Sequence, residues 1–156
     1  MKRWIAYAAG LVLMLLLAKG EFAGTDIAGM EPVGAVRIHL DGGRVTVQTD
    51  TGQQGQGDDL NSAVRDMKLT ADKEIFLDTA DYLLISPGAE EQLPGLRQLL
   101  RPACRVCLEI GETDLAAAAA YLDSHIPEIT LKDCWKENQP LPVLAVKEGR
   151  MYLAQP

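Results

Sequence analysis

The chain has 156 residues, enough for one domain of ordinary size with its own hydrophobic core. Hydrophobic residues make up 47% and charged residues 24%, a composition that excludes a largely disordered chain. The formal net charge is -7 and aromatic residues make up only 5%, so the surface repels phosphate backbones and offers few rings on which bases stack. Nucleic-acid binding is therefore not expected.

The N-terminus has the features of an export signal. Lys2 and Arg3 precede an uncharged, mainly apolar run at 4–18. A helix of that length spans about 22 Å, whereas a membrane-crossing helix takes ~20 residues. The pattern is typical of a signal-peptide core, and Lys19 in the cleavage region leaves an uncleaved anchor open as the alternative. Residues 1–20 are predicted to be a signal peptide or signal anchor that places the rest of the chain on the extracytoplasmic side of the membrane.

The next segment is predicted to be a linker that leads into a β-hairpin. Residues 21–32 show no periodicity and contain two glycines and a proline. The runs 33–40 and 44–49 flank the sequence Asp-Gly-Gly, and Asp-Gly between such runs is a strong hairpin signal.

A glycine-rich turn at 50–57 is expected to lead into a helix that Asp58 or Asp59 caps. Four apolar residues with helical spacing form its predicted buried face: Leu60, Ala63, Val64 and Met67. The elements predicted after this helix are a strand at 74–86, a helix at 89–100, a strand at 103–110, a helix at 114–125 capped by Thr113, a short strand at 128–131, and a hairpin of 142–146 with 150–153.

The predicted order is ββαβαβαβββ. Strands that alternate with helices favour an α/β fold, a mixed sheet covered by helices, with α+β as the alternative. Residues 33–156 are expected to form a single extracytoplasmic α/β domain.

Cys104 and Cys107 form a C-x-x-C sequence, which suggests redox chemistry. Redox pairs lie at a helix start, where the dipole lowers the thiol pKa, but this pair lies in a predicted strand. Residues three apart on a strand point to opposite faces, with Cα atoms about 10 Å apart, beyond the ~7 Å reach of a disulfide. The two are interpreted as structural cysteines. Pairing of Cys134 with one of them stays open, because the predicted compartment is oxidising.

The other candidates for chemistry are weak. The three cysteines, His39 and His125 are too scattered along the sequence to show the ligand spacing of a zinc site. Asp78 and Asp81 are two nearby carboxylates, but no nucleophile or oriented partner accompanies them.

The glycine-rich segment before the first helix does not match a phosphate loop. Gly52, Gly55 and Gly57 follow the order G-x-x-G-x-G, which is neither the dinucleotide fingerprint nor the Walker loop. Asp58 and Asp59 would repel a phosphate. We therefore predict no catalytic, cofactor-binding or metal-binding residues, and no enzymatic activity.

Several segments together resemble the N-terminal domain of the spore germinant-receptor C subunits, the Ger(x)C family. The resemblance covers roughly residues 31–154 and follows the order of elements and apolar positions. It is carried by VRIHLDGGRVTVQTD, GQGDDLNSAVRDM, EIFLDTADYLLIS, AEEQLPGLRQLLRP, ACRVCLEIG, DLAAAAAYLDSHIP and LPVLAVKEGRMYL.

The resemblance implies a non-enzymatic protein on the outer face of a membrane that works with integral-membrane subunits in spore germination. It supplies no catalytic residues. Two departures stand out: the chain has no cysteine near residue 20 for a lipid anchor, and the family's further domains are not expected in 156 residues.

Three functions follow as hypotheses. The first is a membrane-associated interaction domain whose carboxylates attract a protein partner with a basic surface. The second is an exported domain that binds a small ligand, which a pocket with convergent polar groups would favour. The third is a secreted thiol enzyme, which adjacent sulfurs at a helix start would favour.

Overall fold

The computed structural model describes residues 30–136 and 139–156. The predicted signal or anchor at 1–20 lies outside this part of the chain. The strands are β1 (Met30–Pro32), β2 (Ala35–Asp41), β3 (Arg44–Thr49), β4 (Gln54–Gly57), β5 (Glu74–Phe76), β6 (Tyr82–Ile85), β7 (Arg105–Ile110), β8 (Val143–Lys147) and β9 (Arg150–Ala154). The helices are α1 (Leu60–Thr70), α2 (Leu115–Ser124) and α3 (Leu131–Cys134), with 3₁₀ segments at Leu77–Thr79 and Glu90–Gln98.

Seven strands form one mixed sheet in the order β4-β3-β2-β6-β7-β8-β9. The four central strands β2, β6, β7 and β8 are parallel, and an antiparallel extension closes each side, β3 with β4 on one and β9 on the other. A separate parallel pair joins β1 to β5, so residues 30–32 of the predicted linker form a strand. The described part of the chain is therefore a mixed α/β fold with helices on a mixed sheet, and the sequence predicts this fold class.

Apolar side chains fill a core on each face of the sheet. On the first face, Ile38, Leu83 and Val106 pack beneath α1, the longer 3₁₀ segment and α3. On the second face, α2 packs against the strands through residues such as Leu122, which lies among Leu84 and its neighbours. Full burial of one such side chain contributes roughly 1.5–3 kcal/mol, so the two cores stabilise the central strands from both sides.

The structure confirms the predicted first hairpin. Gly42 and Gly43 have φ angles of 55° and 81° at the turn, a conformation that L side chains rarely adopt and that matches the twist of the two strands. The second hairpin, β8 with β9, is also present.

The first helix is present as predicted, but the segment before it differs. Asp59 caps α1 by accepting a hydrogen bond from the backbone N–H of Ser62 at 2.7 Å. Residues 54–57, predicted as part of a turn, form the edge strand β4. A Cβ on Gly55 would lie 2.2 Å from the backbone oxygen of Ala63, so this glycine lets the strand pack directly against the helix.

Two predicted elements take a different form. The strand predicted at 74–86 is divided into β5 and β6, because the Thr79 hydroxyl bonds the backbone of Val33 and Phe76 and holds a turn between them. The helix predicted at 89–100 is a 3₁₀ segment. Pro94 has no N–H to donate within an α-helix, and Gly95 follows it, so the tighter winding replaces the α-helix.

Two predictions further along the chain are wrong. Asp114, and not Thr113, caps α2, by accepting a hydrogen bond from the N–H of Ala117. The strand predicted at 128–131 is reduced to one bridge at Thr130, and helix α3 begins directly after it. The carboxylate of Asp133 accepts hydrogen bonds from the backbone N–H and hydroxyl of Thr130, which starts a helix and ends the extended run.

Candidate functional site

A polar cleft opens beyond the carboxyl end of β6. Ile38, Ile85 and Leu108 lie side by side on β2, β6 and β7. β6 ends at that level, while both neighbours continue. The cleft begins there and extends over one face of β2, β3 and β4. Its volume is about 410 Å³, within the range of small-molecule sites. Ligands of sheets with parallel strands bind outside the carboxyl ends of those strands, so this position fits a binding site.

The walls of the cleft come from a polar face of the sheet. Helix α2 packs over the central strands and β9, and among the described residues no helix covers the same face of β3 and β4. Strand register aligns Arg37, Gln48 and Gln54 in one polar row across β2, β3 and β4, and His39 with Thr46 in the next row. Of the ten lining residues, only Pro87 and Gly111 lack a polar side chain.

A buried ion pair forms the floor of the cleft. Arg37 and Glu109 are each only 6% exposed. The Arg37 Nε donates to Glu109 Oε2 at 2.7 Å and Nη2 donates to Oε1 at 2.8 Å, a bidentate contact. The pair spans β6, since Arg37 lies on β2 and Glu109 on β7. It therefore ties together the two strands on either side of the cleft.

Thr113 connects this ion pair to helix α2. Its hydroxyl donates to Glu109 Oε1 at 2.5 Å and accepts from Arg37 Nη2 at 3.0 Å. Its backbone oxygen accepts a second bond from Nη2 at 2.6 Å, and its N–H donates to Glu109 at 3.2 Å. Every buried polar side-chain atom of the described residues has a hydrogen-bond partner. The network satisfies both charges and fixes the start of α2 beside the cleft.

Two uncharged side chains are oriented by their own partners. Gln48 Oε1 accepts a hydrogen bond from Arg37 Nη1 at 3.0 Å, and the Ser86 hydroxyl oxygen accepts one from the backbone N–H of Leu40 at 3.0 Å. Both oxygens are therefore engaged with the protein, and the remaining hydrogen-bonding capacity of each group is mainly that of a donor.

The rim of the cleft carries two exposed ionisable residues, His39 and Glu112. Within the described residues, His39 forms no hydrogen bond with Ser86 or with a carboxylate. Among the described residues, Ser86 therefore has no oriented base of the kind that activates a serine nucleophile.

The structure separates the two cysteines of the C-x-x-C sequence. Cys104 lies in the core of the first face and Cys107 in that of the second, as the strand spacing predicts, and both are free thiols, as is Cys134. Burial raises the pKa of Cys104 and of Cys107 to about 12. Both thiols are therefore protonated at neutral pH and poor nucleophiles.

The other sequence candidates lie apart from one another. His39 is in the cleft, whereas His125 stacks on Tyr121 at the end of α2. Asp81 forms an exposed ion pair with Arg101. No three histidine, cysteine, aspartate or glutamate side chains in the described part lie close enough together to hold a metal ion.

Sequence reasoning missed the residues at the floor of the cleft. Arg37 interrupts the apolar run Val36–Ile38, and Glu109 stands between Leu108 and Ile110. A charged residue inside a strongly apolar strand is the signal that was available, because such a residue is buried only when it is paired.

A second pocket of about 430 Å³ lies on the first face of the sheet, lined by Leu93, Leu108, Cys134 and Leu141 among others. Five of its seven lining residues are apolar, and the two polar ones are Glu90 and Gln139, whereas eight of the ten residues that line the first cleft are polar. The cleft above β6 is therefore the stronger candidate for a specific site.

Comparison of the chain with models of known protein families, with curated proteins and with solved structures found no match. In the described part of the chain, no helix has both the length and the apolar composition that crossing a membrane requires.

Proposed function

We propose that this protein is a non-enzymatic, extracytoplasmic binding domain that takes a small polar ligand in the cleft above β6. The observation that carries the proposal is the cleft itself, in which polar side chains from four strands and two loops converge on one cavity above a satisfied ion pair. Rigid, pre-oriented polar groups favour binding because little entropy is lost when the ligand forms its hydrogen bonds.

The extracytoplasmic location is part of the proposal and rests on residues 1–20, with their basic start and apolar core. A protein partner with a basic surface is a second part, supported by the net charge of -7. The resemblance to germinant-receptor C subunits makes spore germination the setting we propose. Crosslinking at the membrane should recover such a partner, and the yield should fall as salt rises. A yield that does not change with salt would contradict an electrostatic partner.

The ligand-binding proposal is tested by screening the full chain, in mild detergent, against a library of small polar compounds by ligand-observed NMR. Gln54→Leu removes a polar group from the wall of the cleft, and Gln98→Leu makes the same change on the exposed 3₁₀ segment, away from the cleft. Hits should weaken with the first variant and persist with the second. A library without hits, or hits that both variants weaken equally, would contradict the proposal.

A further inference from the structure

Hydrogen bonds within the protein determine which polar groups of the cleft can donate to a ligand and which can accept from it. An arginine side chain can only donate, so the contact of 3.0 Å with Arg37 Nη1 requires the Gln48 amide to turn its oxygen toward the arginine. The amide nitrogen of Gln48, with two N–H groups, must then face away from Arg37.

Ser86 is constrained in the same way. Its oxygen accepts from the N–H of Leu40, and the hydroxyl hydrogen has no acceptor among the described residues. Arg37 adds another donor, because its Nη1 has two N–H groups and one of them is engaged by Gln48. Arg37, Gln48 and Ser86, which line the same cavity, therefore each have an N–H or O–H group available to donate to a ligand.

The charge of the cleft limits what these donors can bind. The Arg37 charge is balanced by Glu109 at 2.7 Å. Glu112 remains as an exposed carboxylate among the lining residues, on a chain whose net charge is -7. A ligand with a net negative charge meets repulsion from both, whereas a ligand without an acceptor oxygen leaves the donors unpaired, which costs free energy.

From these constraints we infer that the ligand is a small compound that presents a carboxylate or carbonyl oxygen to Gln48 and Ser86 and carries no net negative charge. A zwitterion and a neutral amide both have this chemistry. The inference rests on the proposed function and narrows it to one class of ligand.

Four derivatives of glycine separate the contributions of charge and acceptor. Glycine is the zwitterion, N-acetylglycinamide is neutral, N-acetylglycine is the anion, and glycinamide is the cation. Each is titrated into the full chain and followed by amide chemical shifts at millimolar concentrations. We expect the anion to bind about tenfold more weakly than the tightest of the other three, a difference of about 1.4 kcal/mol. Glycinamide keeps the carbonyl oxygen and carries a positive charge, so its affinity relative to the neutral amide measures the attraction by Glu112.

The Gln48→Glu variant reverses the direction of one group. A glutamate still accepts from Arg37, but it offers the ligand a carboxylate where the amide nitrogen was. The affinity of the best probe should fall about tenfold, because a donor becomes a repelling acceptor. Gln98→Glu adds the same charge on the exposed 3₁₀ segment and should leave the affinity unchanged. If the first variant does not fold, Ser86→Ala serves as the second test and should weaken binding as well.

The outcomes distinguish the ligand class from the proposed function. Tightest binding by the anion, or equal losses in the two glutamate variants, would overturn the class. Failure of all four probes, while library compounds still bind and lose affinity in Gln54→Leu, would overturn the class and leave the proposed function in place. If no compound binds at all, both are wrong.

Discussion

Replacement of Glu109 by glutamine should destabilise the protein strongly, because it removes one charge of a buried pair and leaves the other. Glu109 accepts bonds from the Nε and Nη2 atoms of Arg37 and from the N–H and hydroxyl of Thr113. The glutamine amide keeps one acceptor oxygen and puts a donor beside a guanidinium that is 6% exposed. Loss of one partner of such a pair costs about 3–5 kcal/mol, a large part of the ~5–15 kcal/mol that stabilises a typical domain.

Urea unfolding followed by circular dichroism measures this change. The double variant Arg37→Met/Glu109→Leu should return to within about 2 kcal/mol of the parent, because it leaves no unpaired buried charge. Asp81→Asn is the matched control. It breaks an ion pair with Arg101 whose side chains are 41% and 60% exposed, so a loss of only about 0–1 kcal/mol is expected. A loss for Glu109→Gln no larger than that for Asp81→Asn would refute the argument that burial makes the Arg37 pair important.

The remaining predictions concern packing and the thiols. Gly55→Ala should lower the free energy of unfolding in urea by at least about 1–3 kcal/mol, because the added Cβ would meet the α1 backbone. Gly95→Ala is the control and should change that free energy little, because its Cβ would lie 3.2 Å from a flexible leucine side chain. Equal losses in the two variants would contradict the close contact between strand and helix. In the folded chain at pH 8, mass spectrometry should find Cys104 and Cys107 resistant to iodoacetamide until urea is added, because burial raises the pKa of each thiol to about 12; rapid labelling of either would contradict their burial. The folded pKa of these thiols lies above the ordinary value of 9.0, so their contribution to stability is complete below pH 9 and is lost as the pH rises toward 12, by up to about 1.4 kcal/mol per pH unit for each thiol. Unfolding free energies measured from pH 8 to 10.5 should therefore fall, and should fall less when both cysteines are replaced by alanine.

The elements that were predictable are those determined by neighbouring residues. The Asp-Gly-Gly sequence predicts the first hairpin because Gly42 and Gly43 adopt positive φ angles there. The spacing of apolar residues and the cap at Asp59 likewise predict α1, because both signals come from residues within a few turns of one another. Such signals are local, and the tertiary structure agrees with them.

Elements that depend on distant contacts were not predictable in the same way. Arg37 and Glu109 are 72 residues apart in sequence, and alternation in a strand does not reveal that a charged residue on one strand meets its partner two strands away. The edge strand β4 also depends on a distant contact. In the sequence Gly55 is typical of a turn, and only its close approach to α1 in the structure explains a glycine in a strand. The cleft itself combines side chains of β2, β3, β4 and β7 with the loops that follow β6 and β7, so it is a property of the sheet and not of any single segment.

Amide NMR of the full chain tests whether the cleft above β6 is the ligand site. The tightest compound from the screen is titrated into labelled protein, and the residues whose signals move are identified. We expect the largest shifts at Gln48, Ser86 and Gly111, which line the cleft. Largest shifts at Leu93 and Cys134, which line the pocket on the opposite face, would contradict this site.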